Sequence, residues 1–253
     1  MIATFTHHGR EWRIALNDPI DLSIPLDANS PGPRAWHVGP PSFTPVTDGD
    51  KVYAVAAGAP VNFRDAAFNP HGHGTHTEGV GHISPDVQPV GNMFQRYWFT
   101  AQLISLLPQE RRTTEGIDKV ISLGLLRGAV GEHVPEALVI RTWPNDAEKR
   151  TRVWTSTNPP YIEAEACAWL RSIGVRHLLL DLPSVDREQD DGKLAAHHAF
   201  WDFPHVIDRC RSITEMIYVP DEVLDGDYLL ELQVPHFIND AAPSRPVLYA
   251  PLK

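Results

Sequence analysis

Two cysteines in 253 residues, Cys167 and Cys210, are too few for a disulfide framework. No uninterrupted run of about eighteen apolar residues occurs, and the opening MIATFTHHGREW carries no apolar leader, so neither a membrane helix nor a signal segment is expected. Basic residues are scarce as well. The 22 Lys and Arg stand against 32 Asp and Glu, the net charge is −10, and no basic stripe forms. Such a surface repels phosphate backbones and argues against nucleic acid as a partner, although a bound divalent ion would still admit an anionic small molecule. No repeat, charged block or Ser/Gly-rich linker divides the chain, so residues 1–253 are read as one domain. The absences together describe a soluble, cytoplasmic protein with neither membrane nor nucleic acid as a partner.

Proline, by contrast, is abundant, with 23 residues, and stretches such as SPGPRAWHVGPPSFTP (30–45) read as ordered loops between short elements. Strands are expected at Glu11–Ala15, Ile20–Ile24, Lys51–Ala56, Phe99–Leu106, Ala137–Thr142, Arg176–Leu182, Tyr228–Val234 and Pro246–Ala250, where β-branched or apolar runs are bounded by Pro, Gly or Asp. PPYIEAEACAWLRSIG predicts a helix opened by Pro159 and Pro160 and closed by Gly174, with Ile162, Ala166, Trp169, Leu170 and Ile173 on one face and Cys167 in the core. A second helix is expected over Asp118–Leu126. The first helix runs into the apolar strand of VRHLLLDLPSVD, whose end delivers Asp181, Ser184 and Asp186. Helix, tight turn and buried strand predict a mixed α/β domain with a β-rich core and flanking helices.

The most unusual stretch is NPHGHGTHTEGVGH (69–82), in which four of the chain's 13 histidines fall close together. Imidazole is the commonest metal ligand, and carboxylate complements it for hard or borderline divalent ions. His76 and Glu78 are two apart, so an extended backbone sends both to one face, and His82 shares that face if the extension continues. His71 and His73 precede them, and the intervening glycines let the chain curl around an ion. Three ligands from one loop with a fourth position free is the arrangement of a catalytic site rather than a structural one. The scattered histidines His7, His8, His37, His133, His177 and His236 are read as surface or hydrogen-bonded residues.

GTHTEGVGH resembles the HxGTHxDxPxH signature of the cyclase family of metal-dependent hydrolases, which includes kynurenine formamidase and isatin hydrolase. Gly74, Thr75, His76 and His82 match. Glu78 stands for the aspartate, Val80 for the proline, and the first histidine falls on Gly72, so either His71 or His73 supplies that ligand through a shifted backbone or the ligand is lost; HGHGTH favours His71, as the family pattern with one residue inserted. IDLSIPLD, LLLDLPSVD, LAAHHAFW, SITEMIYVPDEVLDGDYLLELQVPHF and RPVLYAPL are similar to further family segments, so the likeness spans nearly the whole chain. It implies a cyclase-like fold of the swivelling β/β/α type and a homodimer or homotetramer acting on a small molecule.

The resemblance also implies a site. Downstream ligands or site partners map to His197, with His198 as the alternative, and to Glu215; an insertion around FWDFPHVI separates them. The metal set is then His71, His76, Glu78, His197 and Glu215, holding a divalent ion, zinc first and manganese second, with Glu78 able to bridge two. His82 takes the acid–base role, removing a proton from the attacking water and returning it to the leaving nitrogen. Phe63, Phe68, Trp98 and Trp201 are candidates to stack on an aryl group, with core packing the favoured reading for each. The implied reaction is hydrolysis of a C–N bond in a small amide or lactam, as in an arylformamidase. A protein whose ion only braces the fold, and a small-molecule binder with a decayed site at Gly72, are the competing readings.

Overall fold

The structure, a computed structural model, describes residues 1–7, 9–131 and 134–252; His8 and His133 lie outside the described residues. Its frame is a nine-stranded sheet in the order Ala241–Pro243, His76–Glu78, Ser212–Glu215, His177–Leu180, Ala137–Thr142, Trp98–Leu106, Gly226–Glu231, Val247–Tyr249 and Ile20–Asp21. The four strands from Ser212–Glu215 to Trp98–Leu106 are parallel, and antiparallel strands extend the sheet on both sides. Parallel strands buried on both faces read as continuous apolar runs, which is why ALVI and HLLL stood out.

Alternation along those runs divides the core. Leu138, Ile140, Leu178 and Leu180 face helices α1 (Leu123–Ala129), α2 (Ala164–Ile173) and α3 (Ala195–Trp201), and pack with Leu126, Leu170 and Phe200. Ala137, Val139 and Leu179 point the other way, against Leu22, Val90, Phe94 and Ile217. Cys167 is buried in the helical layer, as expected, and burial raises its thiol pKa.

Several boundaries differ from expectation. Asp118–Leu126 is not one helix: Gly116–Ile121 is a strand paired with Gln109–Thr113, and Ser122 then caps α1 through its Oγ, which accepts from the Leu125 N–H at 3.3 Å. Ser122 is the punctuation that the apolar spacing concealed. The helix expected from Pro159 starts instead at Ala164, because Tyr161–Ile162 pairs with Val120–Ile121 as a short parallel strand. Its predicted stop is observed, with Gly174 left-handed at φ 103° and its N–H capping Leu170 and Arg171. Lys51–Ala56 yields only the strand Lys51–Val52 followed by a 3-10 turn, Val55–Ala57, and Ile20–Ile24 only Ile20–Asp21.

Candidate metal centre

The signature segment lies near one edge of the sheet. His76–Glu78 is a fully buried strand between Ser212–Glu215 and Ala241–Pro243, with His76 opposite Glu215 and Glu78 opposite Ile213 and Ala241. Thr75 anchors its entry: its hydroxyl accepts from the Ile24 N–H at 2.8 Å and donates to the Met216 carbonyl at 2.6 Å. Gly74 turns there at φ 64°, with the Ile24 carbonyl 3.1 Å from where a Cβ would sit. Glycine and threonine thus set the backbone, and the histidine follows.

His71, His76, Glu78, His82 and His197 converge. His71 Nδ1 lies 2.9 Å from Glu78 Oε2, and His197 Nε2 lies 2.9 Å from Glu78 Oε1. Glu78 therefore offers its two oxygens to different histidines. His76 Nδ1 donates to the Gly74 carbonyl at 3.2 Å, which turns Nε2 inward. That nitrogen is buried without a hydrogen-bond partner, although Glu215 Oε2 is 3.3 Å away. The Nε2 lone pair faces a carboxyl group whose charge burial disfavours, and either a proton or a cation between them would satisfy both. Ligand atoms of His71, His76 and Glu78, and those of Glu78, His82 and His197, lie within 4.8 Å of one another. The residues present fit a divalent ion by position and by donor chemistry.

The electrostatics agree. Burial opposes ionisation of Glu78, but His82, His197 and His71 outweigh it and hold the carboxyl well below its usual range. Burial and the charge of Glu78 raise Glu215. Burial also opposes charge on His71 and His197, yet hydrogen bonds and charge from Asp240 and Glu78 for the first, and from Asp186 and Glu78 for the second, raise both rings to about 10. Without an ion, protons supply the positive charge that these carboxylates demand.

The sequence alternatives separate by geometry. His73 is turned away, with Nδ1 accepting from the Asn69 N–H at 2.8 Å and Nε2 donating to the Gly39 carbonyl at 2.6 Å. Gly72, where the signature has histidine, leaves no room for a side chain, since Val38 Cγ2 lies 2.7 Å from a built Cβ. His198 leaves the cluster to donate to the Phe203 carbonyl at 3.0 Å, whereas His197 enters it. His82 does not arrive by continued extension. The chain bends into a 3-10 turn at Val80–His82, which still brings His82 Nε2 to 3.9 Å from Glu78 Oε2.

Two carboxylates support the rings. Asp186 Oδ2 lies 2.5 Å from His197 Nδ1, and the same side chain accepts from the N–H groups of Ala196 and His197, capping α3. In the sequence it stands only at the end of an apolar strand. Asp240 was not anticipated; its Oδ2 lies 2.7 Å from His71 Nε2 and 3.5 Å from His82 Nδ1. No local motif marks it, because the pairing of Ala241 with Glu78 is what brings it to the site.

A cleft of about 400 Å³ opens onto the cluster, with Trp36, Asn69, Ser184 and Leu194 among its walls. None of the four aromatic candidates, for which core packing is the favoured reading, lines it. Trp201 is buried behind His197 at 5.4 Å, Trp98 packs on Tyr249, Phe63 on Tyr53 and Phe68 on Phe237. Trp36, from the proline-rich loop, supplies the aromatic wall.

Residues 20–187 match the family model "Putative cyclase". A kynurenine formamidase of Bordetella avium is 27% identical over 232 residues, covering 85% of this chain and 97% of the relative. That of Bacillus mycoides is 38% identical over 91 residues, which are 35% of this chain and only 39% of the relative's length. Isatin hydrolase A from Labrenzia aggregata, solved bound to benzyl benzoate, superposes with a TM-score of 0.65 at 14% identity, covering 92% of this chain and 93% of that one.

Proposed function

Because the chain belongs to the cyclase family, we propose that it is a metal-dependent hydrolase that cleaves the C–N bond of a small amide or lactam, as an arylformamidase does. The observation that carries this reading is the buried Nε2 of His76, which has no hydrogen-bond partner and lies 3.3 Å from Glu215 Oε2 in a cluster with His71 and Glu78, while His71, Glu78, His197 and Glu215 line an open cleft. The near full-length likeness to a kynurenine formamidase supports the choice of an amide.

His71, His76, Glu78, His197 and Glu215 would hold the ion. Imidazoles favour zinc and the carboxylates admit manganese; the two oxygens of Glu78, each facing a different histidine, could serve a second ion as well. A divalent ion there lowers the pKa of water toward neutrality and polarises a carbonyl oxygen. The protein's own groups do the rest. His82, half-buried at the cleft, accepts a proton from the attacking water and delivers it to the leaving nitrogen, and Trp36 offers a flat wall to an aryl group. Asp186 holds the His197 ring in place from behind. The same reading makes the protein a cytoplasmic homodimer or homotetramer with a small-molecule substrate; no helix of the described residues is long and apolar enough to cross a membrane.

The test is metal analysis of protein purified without chelator, combined with turnover of formanilide, an N-formyl aryl amide. Stoichiometric zinc or manganese and measurable hydrolysis are expected. His82→Ala should keep the metal and lose ~10²–10⁴-fold in kcat. Unchanged turnover in that variant would remove His82 from the role of base.

A further inference from the structure

We propose that Asp240 is a positioning residue that fixes the ring tautomers of His71 and His82 in opposite senses, leaving each ring one unprotonated nitrogen toward Glu78. The inference rests on the reading above, in which His71 binds the ion and His82 is the base.

Asp240 is 169 residues from His71 in sequence, yet its backbone is pinned beside the site. Its carbonyl accepts from the Gly79 N–H at 3.0 Å, and the next residue, Ala241, pairs with Glu78. A single oxygen, Oδ2, meets both rings, at His71 Nε2 (2.7 Å) and His82 Nδ1 (3.5 Å). Each ring turns its other nitrogen to a second single oxygen, Glu78 Oε2: His71 Nδ1 at 2.9 Å and His82 Nε2 at 3.9 Å. The two imidazoles thus span the same pair of carboxylates with exchanged nitrogens, their centroids 4.2 Å apart and their planes 31° from parallel.

An ionised carboxylate only accepts hydrogen bonds, so a nitrogen facing Asp240 must carry a hydrogen. An ordinary aspartate is ionised above about pH 4, and one oxygen of this one lies against both rings. A neutral imidazole has one N–H. Placing it on Nε2 of His71 and on Nδ1 of His82 leaves lone pairs on Nδ1 and Nε2, the atoms needed for ligation and for base action. Asp240 also explains how a ligand can move by one residue: Val38 closes position 72, and the ring displaced to position 71 is held from behind.

The experiment is 15N NMR of zinc-loaded, 15N-histidine-labelled protein at about pH 8, where an ordinary imidazole is neutral, with signals assigned by their loss in His71→Asn and His82→Asn. The wild type should show His71 protonated at Nε2 and His82 at Nδ1. Asp240→Asn, whose amide can donate as well as accept, should mix or invert at least one tautomer and lower kcat on formanilide ~10–100-fold with KM little changed. The opposite tautomer on either wild-type ring, or unaltered tautomers in Asp240→Asn, overturns the proposal. If Asp240→Asn fails to fold, the wild-type tautomers alone decide. Loss of turnover in His82→Asn beside an unaffected Asp240→Asn defeats this inference and leaves the hydrolase reading standing; full turnover in metal-loaded His82→Asn defeats the base assignment and this inference with it.

Discussion

At Gly72 the signature and the structure disagree, and the disagreement is steric. A side chain there would meet Val38 Cγ2 at 2.7 Å and Val38 Cγ1 at 3.2 Å. Restoring the family's residue should therefore harm the protein: Gly72→His is expected to lower unfolding stability by ~1–3 kcal/mol in urea titration, the usual cost of overpacking. A variant as stable as the parent would show that the loop makes room. Protonation supplies a second residue-level prediction. The pKa values of His71 and His197 are raised to about 10, above the unfolded imidazole value of ~6.5. Their stabilisation is complete below the unfolded value and is lost as pH rises through the folded one. The Tm of chelated protein should fall as pH rises from ~6.5 toward 10, and an ion in place of those protons should abolish the fall. An equally steep fall with metal bound would contradict the assignment. Of these residues, His76 and Glu78 were legible from a spacing of two in a strand. His71 against His73 was not, because that choice depends on Asn69 and Gly39, which no pattern in the segment reveals.

Elements carry the site through a few tethers. Thr75 ties the His76–Glu78 strand both to the backbone at Ile24 and to the carbonyl after Glu215, so one hydroxyl joins three segments. Thr75→Val keeps the shape and removes both bonds. A cost of ~1–3 kcal/mol per stranded buried group is expected, seen as a lower denaturation midpoint with an unchanged m-value. A loss of only a few tenths would mean that water or a shifted backbone replaces the hydroxyl. Met216, next to Glu215, sits at φ 53°, and Leu194, before α3, at φ 44°. Such conformations are costly for side-chain-bearing residues and persist where surrounding contacts enforce them. At this scale the sequence was readable where one period dominated, as in ALVIRT and the body of α2, and misleading where a strand passed into a helix through one residue, Ser122. Ser212–Glu215 was missed as a strand because four residues give periodicity too little length to act on.

Over the whole molecule, a sheet buried on both faces supplies rigidity, and the charged cluster lies at its rim, where three strands and α3 meet. The net charge is −10, and a local demand for positive charge is concentrated at buried Glu78, Glu215 and Asp186 and half-buried Asp240. An ion binding only the folded form, free at ~1,000 times its Kd, would stabilise it by ~4 kcal/mol. For a chain of this size that corresponds to about 10 °C in Tm, which calorimetry with and without EDTA would detect; no change on chelation would mean that the cluster is held by protons alone. Fold class and the core of the site were accessible from sequence because strand composition and the GTH segment are local. Asp240 and Trp36 were not, since strand pairing and loop closure across the molecule bring them there.

Anomalous diffraction at the zinc edge, from crystals grown with equimolar zinc, addresses the cluster most directly. A peak ~2.0–2.2 Å from His76 Nε2 and from a Glu78 oxygen is expected. Zinc located only elsewhere, with His76 Nε2 left facing Glu215 alone, would contradict the metal centre and the chemistry built on it.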